Sequence, residues 1–499
     1  MKRKARLLIA IALVLALVFS GTGAAFGATG SPAAPVIKVM YDGNYITFKD
    51  AVPKIINGRT MVPFRQILED MGTVVTYDLV TKTVLAKKGT TEFSFVIGGS
   101  DITIKENGVT TIKKMDVVPY LDRYTNRTYV SARFMAESLG YGVGWDGTAK
   151  VVVITDYEKL FANADTDFSI LNKLMETDID LEKTYRTTGS FDASFTTPAS
   201  PMDEDSGPLE FAMTGDYNGI QHKTDADMVM HMAMDADKAI AAMPADQQAM
   251  AEASFEAFKD MTIKIKMNGT EGVMYMNAGM FSMIDPTIDA NTWMKMDIFK
   301  QYEDMGIDLK NLMNLSKEKT SVGMMLTQSG ATYQAANVNT YANVKASYAF
   351  LKNLIGDEAF DKTVSGSKTT YTLNITPLSI AAAISKASLT DGGAMSLSDI
   401  AEMTNLIKEA DFSGELIIDT VADKMTAYQM NGDFSADGTE VAFDLNGTPM
   451  DTDMTMNISM EGIMAMAMSI TSSMKETTDQ VNLTLPAGAK IVDFNTMMP

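Results

Sequence analysis

The sequence predicts an α+β protein of two domains, and three observations support this fold class. A strand-helix-hairpin unit occurs twice near the start of the chain. Long segments of alternating apolar and polar residues, typical of antiparallel strands, fill much of residues 186–499. Helical patterns interrupt those strands without the regular strand-helix alternation that builds a parallel sheet.

The first residues have the three parts of a signal peptide. A basic start, Lys2 to Arg6, precedes an apolar run from Leu7 to Phe19, and small residues follow up to Ala28. The apolar run is shorter than the roughly 20 residues that a membrane-spanning helix needs. We therefore expect a signal peptide over residues 1–27, cleaved near Gly27 and Ala28, and a linker over residues 28–35. The mature chain is expected to be secreted or associated with the cell wall, without a membrane span.

Composition limits the classes of partner. The chain has 42 basic and 63 acidic residues, which gives a formal charge of −21, and it contains no cysteine. An acidic protein is repelled by nucleic acids and by anionic lipid surfaces, so neither is an expected partner. The absence of cysteine excludes disulfides, thiol chemistry and an acylated lipoprotein anchor.

The repeat lies within residues 36–156. Residues 58–86 align with residues 126–154 without a gap, and each copy reads as a short strand, a helix of about three turns, and a hairpin. Gly72 and Gly140 follow the last apolar helical residue of each copy, where a glycine C-cap is expected. The identical pairs are Arg59/Arg127, Thr60/Thr128, Val62/Val130, Arg65/Arg133, Glu69/Glu137, Gly72/Gly140, Val75/Val143, Asp78/Asp146, Lys82/Lys150 and Val84/Val152.

Arg65 and Glu69, like Arg133 and Glu137, lie four residues apart on the predicted helices. This spacing lets the two side chains form an ion pair on one helix face. Because both copies carry the pair, a structural ion pair or a clamp from helix to strand is a better interpretation than an active site.

These residues carry a resemblance to a known family. The doubled pattern G-R-T-x-V-P-x-R, E, G and V-x-[WY]-D over residues 36–156 resembles the copper amine oxidase N-terminal-like, or stalk, domain of secreted bacterial proteins. The second copy departs from the pattern at Ser131 and Ala132, where the first has Pro63 and Phe64. The resemblance implies neither copper nor amine oxidation, because the catalytic domain of those enzymes needs three histidine ligands and this chain has two His.

Residues 157–185 have a helical pattern that predicts a connector helix or the first helix of the next domain, and residues 186–499 predict one Met-rich α+β domain. The order of its elements resembles the lipoprotein-carrier (LolA-type) superfamily. The residues that carry this resemblance are Val273 to Asn277, Trp293 to Asp297 and the ending from Leu485 to Phe494. It implies a large, curved antiparallel sheet that holds inserted helices against its concave face.

Methionine is the unusual feature of this domain, since the chain has 41 Met. Met occupies every second residue in several predicted strands, so these side chains should share one face of a sheet. We interpret them as core residues, as the lining of a groove for an apolar ligand, or as thioether ligands for copper(I) with His231 as a nitrogen ligand. The candidate groove residues are Met228, Met230, Met232, Met234, Met274, Met276, Met454, Met456, Met460, Met464, Met466 and Met468.

Two functional hypotheses follow. The first is a secreted or cell-envelope-associated binding protein that combines the stalk with a domain holding a lipid or apolar peptide, with a cell-wall component as a further partner. The second is a structural envelope protein whose sheet is filled by its own helices. A pocket lined by the methionines would favour the first hypothesis and a filled core the second. An enzyme is disfavoured, because His222 and His231 lie in no recognisable catalytic motif, and no cofactor is expected.

Overall fold

The structure is a computed structural model that describes residues 37–106, 109–175, 180, 182–198, 207–283, 285, 287–304, 321–332, 338–390, 411–436 and 438–494. The predicted signal peptide, the predicted linker and residues 397–408, whose sequence pattern predicts a helix, lie outside these residues. Among the described residues, no helix combines the length and the apolar composition that crossing a membrane requires.

The first domain consists of short strands and two short helices, in the order β1 (Lys38–Tyr41), β2 (Asn44–Tyr45), β3 (Lys54–Ile56), β4 (Arg59–Pro63), α1 (Phe64–Asp70), β5 (Val74–Asp78), β6 (Thr83–Lys88), β7 (Thr91–Val96), β8 (Asp101–Glu106), β9 (Val109–Lys114), β10 (Tyr120–Asp122), β11 (Arg127–Ser131), α2 (Ala132–Ser138), β12 (Gly142–Asp146) and β13 (Val151–Thr155). The strands form three sheets with the orders β12-β13-β1-β2, β10-β11-β4-β3 and β5-β6-β7-β8-β9.

Both copies of the repeat contribute to one hydrophobic core. Ile67 and Leu68 of α1 pack in the same cluster as Met135 and Ala136 of α2, and all four are at most 2% exposed. Each helix lies between a strand and a hairpin in both copies. Because neither helix has a core of its own, the two copies depend on each other for burial.

Charged side chains also cross between the copies. Arg59 pairs with Asp116, and Arg127 pairs with Asp50, so each arginine contacts an aspartate that precedes the other copy. These four residues are about half exposed, and such pairs contribute little to stability by themselves. They flank the central β4 and β11 pair, in which Val62 lies opposite Val130.

Three short helices follow the first domain: α3 (Tyr157–Leu160), α4 (Ala164–Asp167) and α5 (Ser169–Met175). The prediction of one connector helix over residues 157–185 was wrong. Asp156 caps α3 through the Lys159 N–H (3.0 Å), and Asp357 accepts from the Ile170 N–H (2.9 Å), which starts a new helix there. The buried side chains keep helical spacing but belong to the core of the second domain.

The second domain contains the remaining elements. They are β14 (Thr184–Thr197), β15 (Leu209–His222), β16 (Asp225–Asp235), α6 (Asp237–Ala241), α7 (Ala245–Phe255), β17 (Met261–Asn268), β18 (Val273–Ala278), β19 (Thr292–Asp297), α8 (Ile298–Asp304), α9 (Val322–Thr332), α10 (Thr340–Ile355), β20 (Asp361–Ser365), β21 (Lys368–Ile375), α11 (Pro377–Thr390), β22 (Asp411–Val421), β23 (Lys424–Ala436), β24 (Thr439–Gly447), β25 (Asp451–Met460), β26 (Met464–Thr477) and β27 (Lys490–Asp493). Short 3₁₀ segments occur at Glu256–Phe258, Gly279–Met283 and Asp357–Ala359.

These fourteen strands form one curved sheet in the order β20-β21-β22-β23-β24-β25-β26-β14-β15-β16-β17-β18-β19-β27. The pairs are antiparallel except for the parallel pair of β19 with β27. Together with the inserted helices, this sheet confirms the predicted α+β class. Chain-distant strands β26 and β14 pair in the middle of the sheet, so the described strands on either side of this pair belong to one sheet.

The two domains meet through a packed junction. The ring of Tyr157 is fully buried between Gly142 of β12 and Gly330 of α9; a Cβ atom at either glycine would lie within about 2.5 Å of that ring. The backbone N–H of Val338 donates to Asp146 at 3.1 Å. The connection therefore fixes the position of the first domain against the helices of the second.

We predict that Asp122→Asn weakens the dependence of stability on acid pH. Asp122 accepts from Lys54 and from the Tyr124 N–H (2.9 Å), and these hydrogen bonds hold the pKa of its carboxyl below the ordinary value. A lowered folded-state pKa stabilises the fold above the ordinary aspartate pKa of about 3.9 and loses that contribution as the pH falls through the folded value.

Urea unfolding between pH 7 and pH 2.5 measures this effect. The variant should be less stable than the wild type at pH 7 and should lose less stability on acidification. The exposed Asp101→Asn change is the control. An acid response of Asp122→Asn equal to that of the wild type would contradict the assignment.

Candidate binding surface on the large sheet

Cross-strand pairing determines which residues share a face of the sheet. In β16, Met230 lies opposite Tyr217 of β15 and Ile263 of β17. In β26, Met468 lies opposite Met456 of β25 and Ala193 of β14. Because directly opposed residues project to the same side, these contacts define one continuous apolar face.

We name the central part of this surface the methionine face. It comprises the apolar side of β24, β25, β26, β14, β15 and β16, which are consecutive neighbours in the sheet. Its principal side chains are Val441, Phe443, Leu445, Met454, Met456, Ile458, Met466, Met468, Ile470, Phe191, Phe195, Phe211, Met213, Tyr217, Met228, Met230, Met232 and Met234. With strands about 4.8 Å apart and about 3.3 Å per residue, the face measures roughly 24 by 20 Å.

The methionine face is only partly covered by the described residues. Met228, Met230, Met454, Met456 and Met468 are half-buried, whereas the alternating residues of the opposite face are mostly exposed. Among the described residues, no buried hydrophobic cluster includes a side chain of the six central strands. At one margin Phe255 of α7 contacts Phe211, with ring centroids 5.8 Å apart.

The two ends of the apolar side are covered, in contrast to its centre. At one end, Leu373 of β21 and Leu416 and Ile418 of β22 are buried beneath α5, α10 and neighbouring helices. At the other end, Phe281 and Met294 are buried with Met276 in a separate cluster. The uncovered centre is therefore bordered on both sides by packed cores.

The sequence-predicted methionines divide between these regions. Met228, Met230, Met232, Met234, Met454, Met456, Met466 and Met468 lie on the methionine face, and Met460 lies opposite Met464 beside the β25–β26 turn. Met274 and Met276 lie on β18, beyond β17, where Met276 packs against the buried cluster. For Met276, the interpretation as a core residue fits the structure better than the groove.

His231 does not lie with the methionines. It alternates with Met230 and Met232 along β16, so its side chain is on the opposite face, where Nδ1 lies 3.1 Å from the hydroxyl of Thr262. The expectation that His231 supplies a nitrogen ligand to a thioether copper site was wrong. Within the described ranges, no group of three or more His, Asp and Glu side chains is placed to bind a metal.

Glycines shape the methionine face. Gly215 lies opposite Phe191, and Gly189 opposite Tyr217, with the aromatic ring lying over the glycine in both pairs. A Cβ atom at Gly215 would lie 2.5 Å from the Phe191 ring and 2.4 Å from the carbonyl oxygen of His231. Phe443 covers Gly432 in the same way. Because each ring lies flat on a glycine, the surface is smoother at these pairs. Glycine also permits a close approach of neighbouring groups and lets the sheet bend.

The opposite face is polar. One row across it contains Asp453, Thr471, Ser190, Asp216 and His231, each opposed by its neighbour in the next strand. By contrast, the methionine face contains no Asp, Glu, Lys or Arg among the side chains named above. The sheet thus separates charge from hydrocarbon across its thickness.

Two open depressions of the surface lie elsewhere. One, of about 510 Å³, lies in the first domain and is lined by Ile56, Asn57, Arg59, Asp116, Val117, Val118 and Tyr120. A second, of about 320 Å³, lies beside β22–β25 and includes Asp419, Gln429, Asn446, Asp451 and Asp453. Neither of these two depressions takes a lining residue from the methionine face.

The predicted ion pairs of the first domain lie away from this surface. Arg65 Nη1 is 3.8 Å from Glu69 Oε1, and Arg133 Nε is 3.9 Å from Glu137 Oε1. Arg65 also donates to the carbonyl oxygen of Val75 at 3.3 Å, which links helix α1 to strand β5. These contacts fit a structural role.

The sequence analysis missed the aromatic part of the methionine face. Phe191, Phe195 and Phe211 alternate within predicted strands, so their sharing of a face within each strand could have been inferred. Their position beside the methionines of β26 and β16 depends on register, for which the sequence offered no signal.

The fold and the surface together define a class: an α+β protein that carries an open apolar face on a large antiparallel sheet, joined to a small repeat domain. Residues 40–154 match the family model of the copper amine oxidase N-terminal domain. This match confirms the resemblance inferred from the doubled motif. The matched domain is the N-terminal and not the catalytic domain of those oxidases. The resemblance of the second domain to the lipoprotein carriers stays a prediction.

Other comparisons add little. No curated protein matches the chain. Among solved structures, the outer membrane protein Omp33 of Acinetobacter baumannii is 5% identical, covers 59% of this chain and 98% of its own, and has a TM-score of 0.11. A multiple mutant of the Rh. blastica porin is 8% identical, with 58% and 99% coverage and a TM-score of 0.12. Similarity at these TM-scores does not establish a shared fold.

We predict that Gly215→Ala destabilises the second domain. The added methyl group must displace the Phe191 ring and also meets the backbone of β16, which cannot move without breaking the ladder. Overpacking of this kind costs about 1–3 kcal/mol in the free energy of unfolding. Chemical denaturation followed by circular dichroism measures it.

Gly279→Ala is the matched control, because nothing lies within 4 Å of a Cβ atom there. It should leave the free energy of unfolding nearly unchanged. Equal effects of the two substitutions would show that the contact of Phe191 with Gly215 is not close in solution.

Proposed function

We propose that this protein is exported and works outside the cytoplasmic membrane as a non-enzymatic binding protein that holds an apolar ligand on the methionine face. The observation that carries the proposal is the width of that face: six adjacent strands present an apolar, half-buried surface that the described residues cover only in part. Contiguous apolar surfaces of this size on soluble proteins commonly mark interaction sites.

The chemistry of the face specifies the part of the ligand that touches it. Because Met, Phe, Ile and Leu side chains supply the surface and no charged side chain interrupts it, the contacting part of the ligand should be hydrocarbon. A ligand that buries about 300 Å² of apolar surface gains roughly 7 kcal/mol before the costs of association. A lipid with acyl chains fits these requirements, with its polar group directed beyond the margin of the face.

Methionine suits such a surface better than a branched side chain does. The unbranched thioether has several rotatable bonds and adapts to ligands of different shape. The glycines that are covered by aromatic rings form a flat part of the surface beside the adaptable methionines. An open, adaptable face of this kind favours a ligand defined by hydrocarbon length and not by a particular headgroup.

The first domain has a separate part in this proposal. Its match to the N-terminal domain of copper amine oxidases supports a stalk that projects the second domain from the envelope or attaches it to a cell-wall component. The packed junction around Tyr157 supports a fixed orientation of the methionine face relative to that stalk. The signal-peptide pattern of residues 1–27 supports export, with cleavage near Gly27 and Ala28.

We predict that Met230→Glu removes apolar ligand and leaves the fold intact. Met230 is half-buried on β16, the last of the six strands of the methionine face, so the new carboxylate can stay hydrated in the free protein. The free energy of unfolding should change by less than about 1.5 kcal/mol, whereas the affinity for a pyrene-labelled fatty acid should fall about tenfold or more.

His231→Glu is the matched control, because it places the same charge one residue along β16 on the exposed opposite face. It should keep both stability and affinity. Unfolding of Met230→Glu, together with no binding of the probe by the wild type, would favour the alternative of a structural envelope protein with a filled sheet.

A further inference from the structure

We propose that the methionine face is a reversible oxidation site, at which conversion of its thioethers to sulfoxides releases the apolar ligand while the sheet stays folded. This inference rests on the proposed function and adds a means of regulation to it. Three features of the structure carry it: the exposure of the thioethers, their placement along the sheet, and the independence of the ladder from side-chain polarity.

The thioethers of the face are accessible, in contrast to methionines of the cores. Met228, Met230, Met456 and Met468 are half-buried. Met61, Met135 and Met294 are at most 2% exposed. An oxidant dissolved in water therefore reaches the face while the fold is intact, but it reaches the core methionines only after unfolding.

Methionine alternates along strands at the uncovered centre and at the covered β18–β19 end, where Met294 is fully buried; the thioethers of the centre differ in being half-buried. Strands β21 and β22, which lie beneath helices, contain no Met and use Tyr371, Leu373, Leu416 and Ile418 on the same side. Strands β25, β26 and β16 place Met at alternating positions. Leucine would supply similar hydrophobicity to these three strands. What the thioethers add is a sulfur atom that an oxidant can reach.

The chain also has no cysteine. Thioethers are therefore the sulfur groups that a two-electron oxidant such as a peroxide would meet on this surface. In the reaction, the thioether sulfur bonds to one peroxide oxygen as the O–O bond breaks, and the other oxygen leaves as water. The sulfur is oxidised by two electrons and the peroxide is reduced by two.

Oxidation changes the face without requiring the strands to separate. A sulfoxide is strongly polar, and a hydrocarbon ligand placed over it would leave its oxygen without a hydrogen-bond partner. The backbone ladder between β25 and β26, and between β15 and β16, is independent of these side chains. In the free protein the sulfoxides point to water, so the oxidised sheet keeps its hydrogen bonds and loses its attraction for hydrocarbon.

The reverse reaction needs a dithiol reductant of the methionine sulfoxide reductase class. Two thiols are oxidised to a disulfide, the sulfoxide returns to a thioether, and its oxygen leaves as water. Exposure of the face makes the sulfoxides accessible to such an enzyme. The site is thus reversible in both directions without unfolding.

The test follows oxidation, ligand affinity and folding in the same full-length samples. Protein is treated with increasing hydrogen peroxide, sulfoxide is mapped by peptide mass spectrometry, and binding of a pyrene-labelled fatty acid is measured. The methionines of β16, β25 and β26 should oxidise before Met61, Met135 and Met294. Affinity should fall about tenfold or more as they do, with unchanged far-ultraviolet circular dichroism, and methionine sulfoxide reductase should restore it.

The comparison variant has leucine at the methionines of the face, Met213, Met228, Met230, Met232, Met234, Met454, Met456, Met466 and Met468, and its affinity after peroxide is compared with its own untreated value. Peroxide should lower that affinity by much less than it lowers the affinity of the wild type. Met250→Leu controls for oxidation of a methionine that is 71% exposed on α7, and it should respond as the wild type does.

The outcomes separate the two proposals. Binding that survives complete oxidation of the face would overturn the switch and leave the proposed function standing. Loss of the circular dichroism signal together with loss of binding would also overturn it, because the sheet itself would have failed. No binding by the untreated wild type would overturn the proposed function, and the switch with it.

Discussion

The rest of the second domain depends on the strict alternation of side chains along its strands. Directly opposed residues share a face, so the register of thirteen strand pairs decides whether Met, Phe and Ile collect on one side of the sheet. A slip of one residue would send Met228 to Met234 to the polar face and bring Asp227 and His231 to the apolar one. The register therefore separates charge from hydrocarbon, and this separation in turn stabilises the register against a slip.

This separation explains the arrangement of the helices. Helices cover the apolar side at β21–β23, and a 3₁₀ segment with the end of the chain covers it at β17–β19. Between them, aromatic rings over Gly189, Gly215 and Gly432 replace part of the missing cover. The centre keeps its sheet structure through backbone bonds and half-buried contacts, and it remains accessible to a ligand.

Much of the fold could be predicted from local patterns. The alternating pattern of Thr224 to Met234 predicts a strand, and the structure has β16 there, Asp225–Asp235; Gly72 and Gly140 take positive φ where the glycine C-caps were expected. The helical pattern of Lys238 to Lys259 predicts one helix, but Pro244, which lacks an N–H and disfavours a helical residue before it, divides the segment into α6 and α7. The helical spacing of apolar residues continues on both sides of Pro244, so the spacing alone did not predict the break.

Long-range relations could not be predicted. Pairing of β14 with β26 joins residues nearly three hundred positions apart, so the meeting of Phe195 with Met466 has no signal in either segment. The crossed pairs of Arg59 with Asp116 and of Arg127 with Asp50 have a partial signal in the sequence. Asp50 and Pro53 recur as Asp116 and Pro119 ahead of the second copy. Alternation along β16 places His231 on the face opposite Met230 and Met232. His231 could therefore have been excluded from the sequence alone as a copper ligand beside these methionines.

The central claim is that the methionine face is an open surface for hydrocarbon. Photochemical crosslinking with a fatty acid that carries an alkyl diazirine near the end of its chain tests it most directly. Peptide mapping should locate the crosslinks on the apolar side of β25, β26, β15 and β16, at residues such as Met456, Met468 and Tyr217. Crosslinks confined to the first domain or to the polar face, or no crosslinks above those of a denatured sample, would contradict the account.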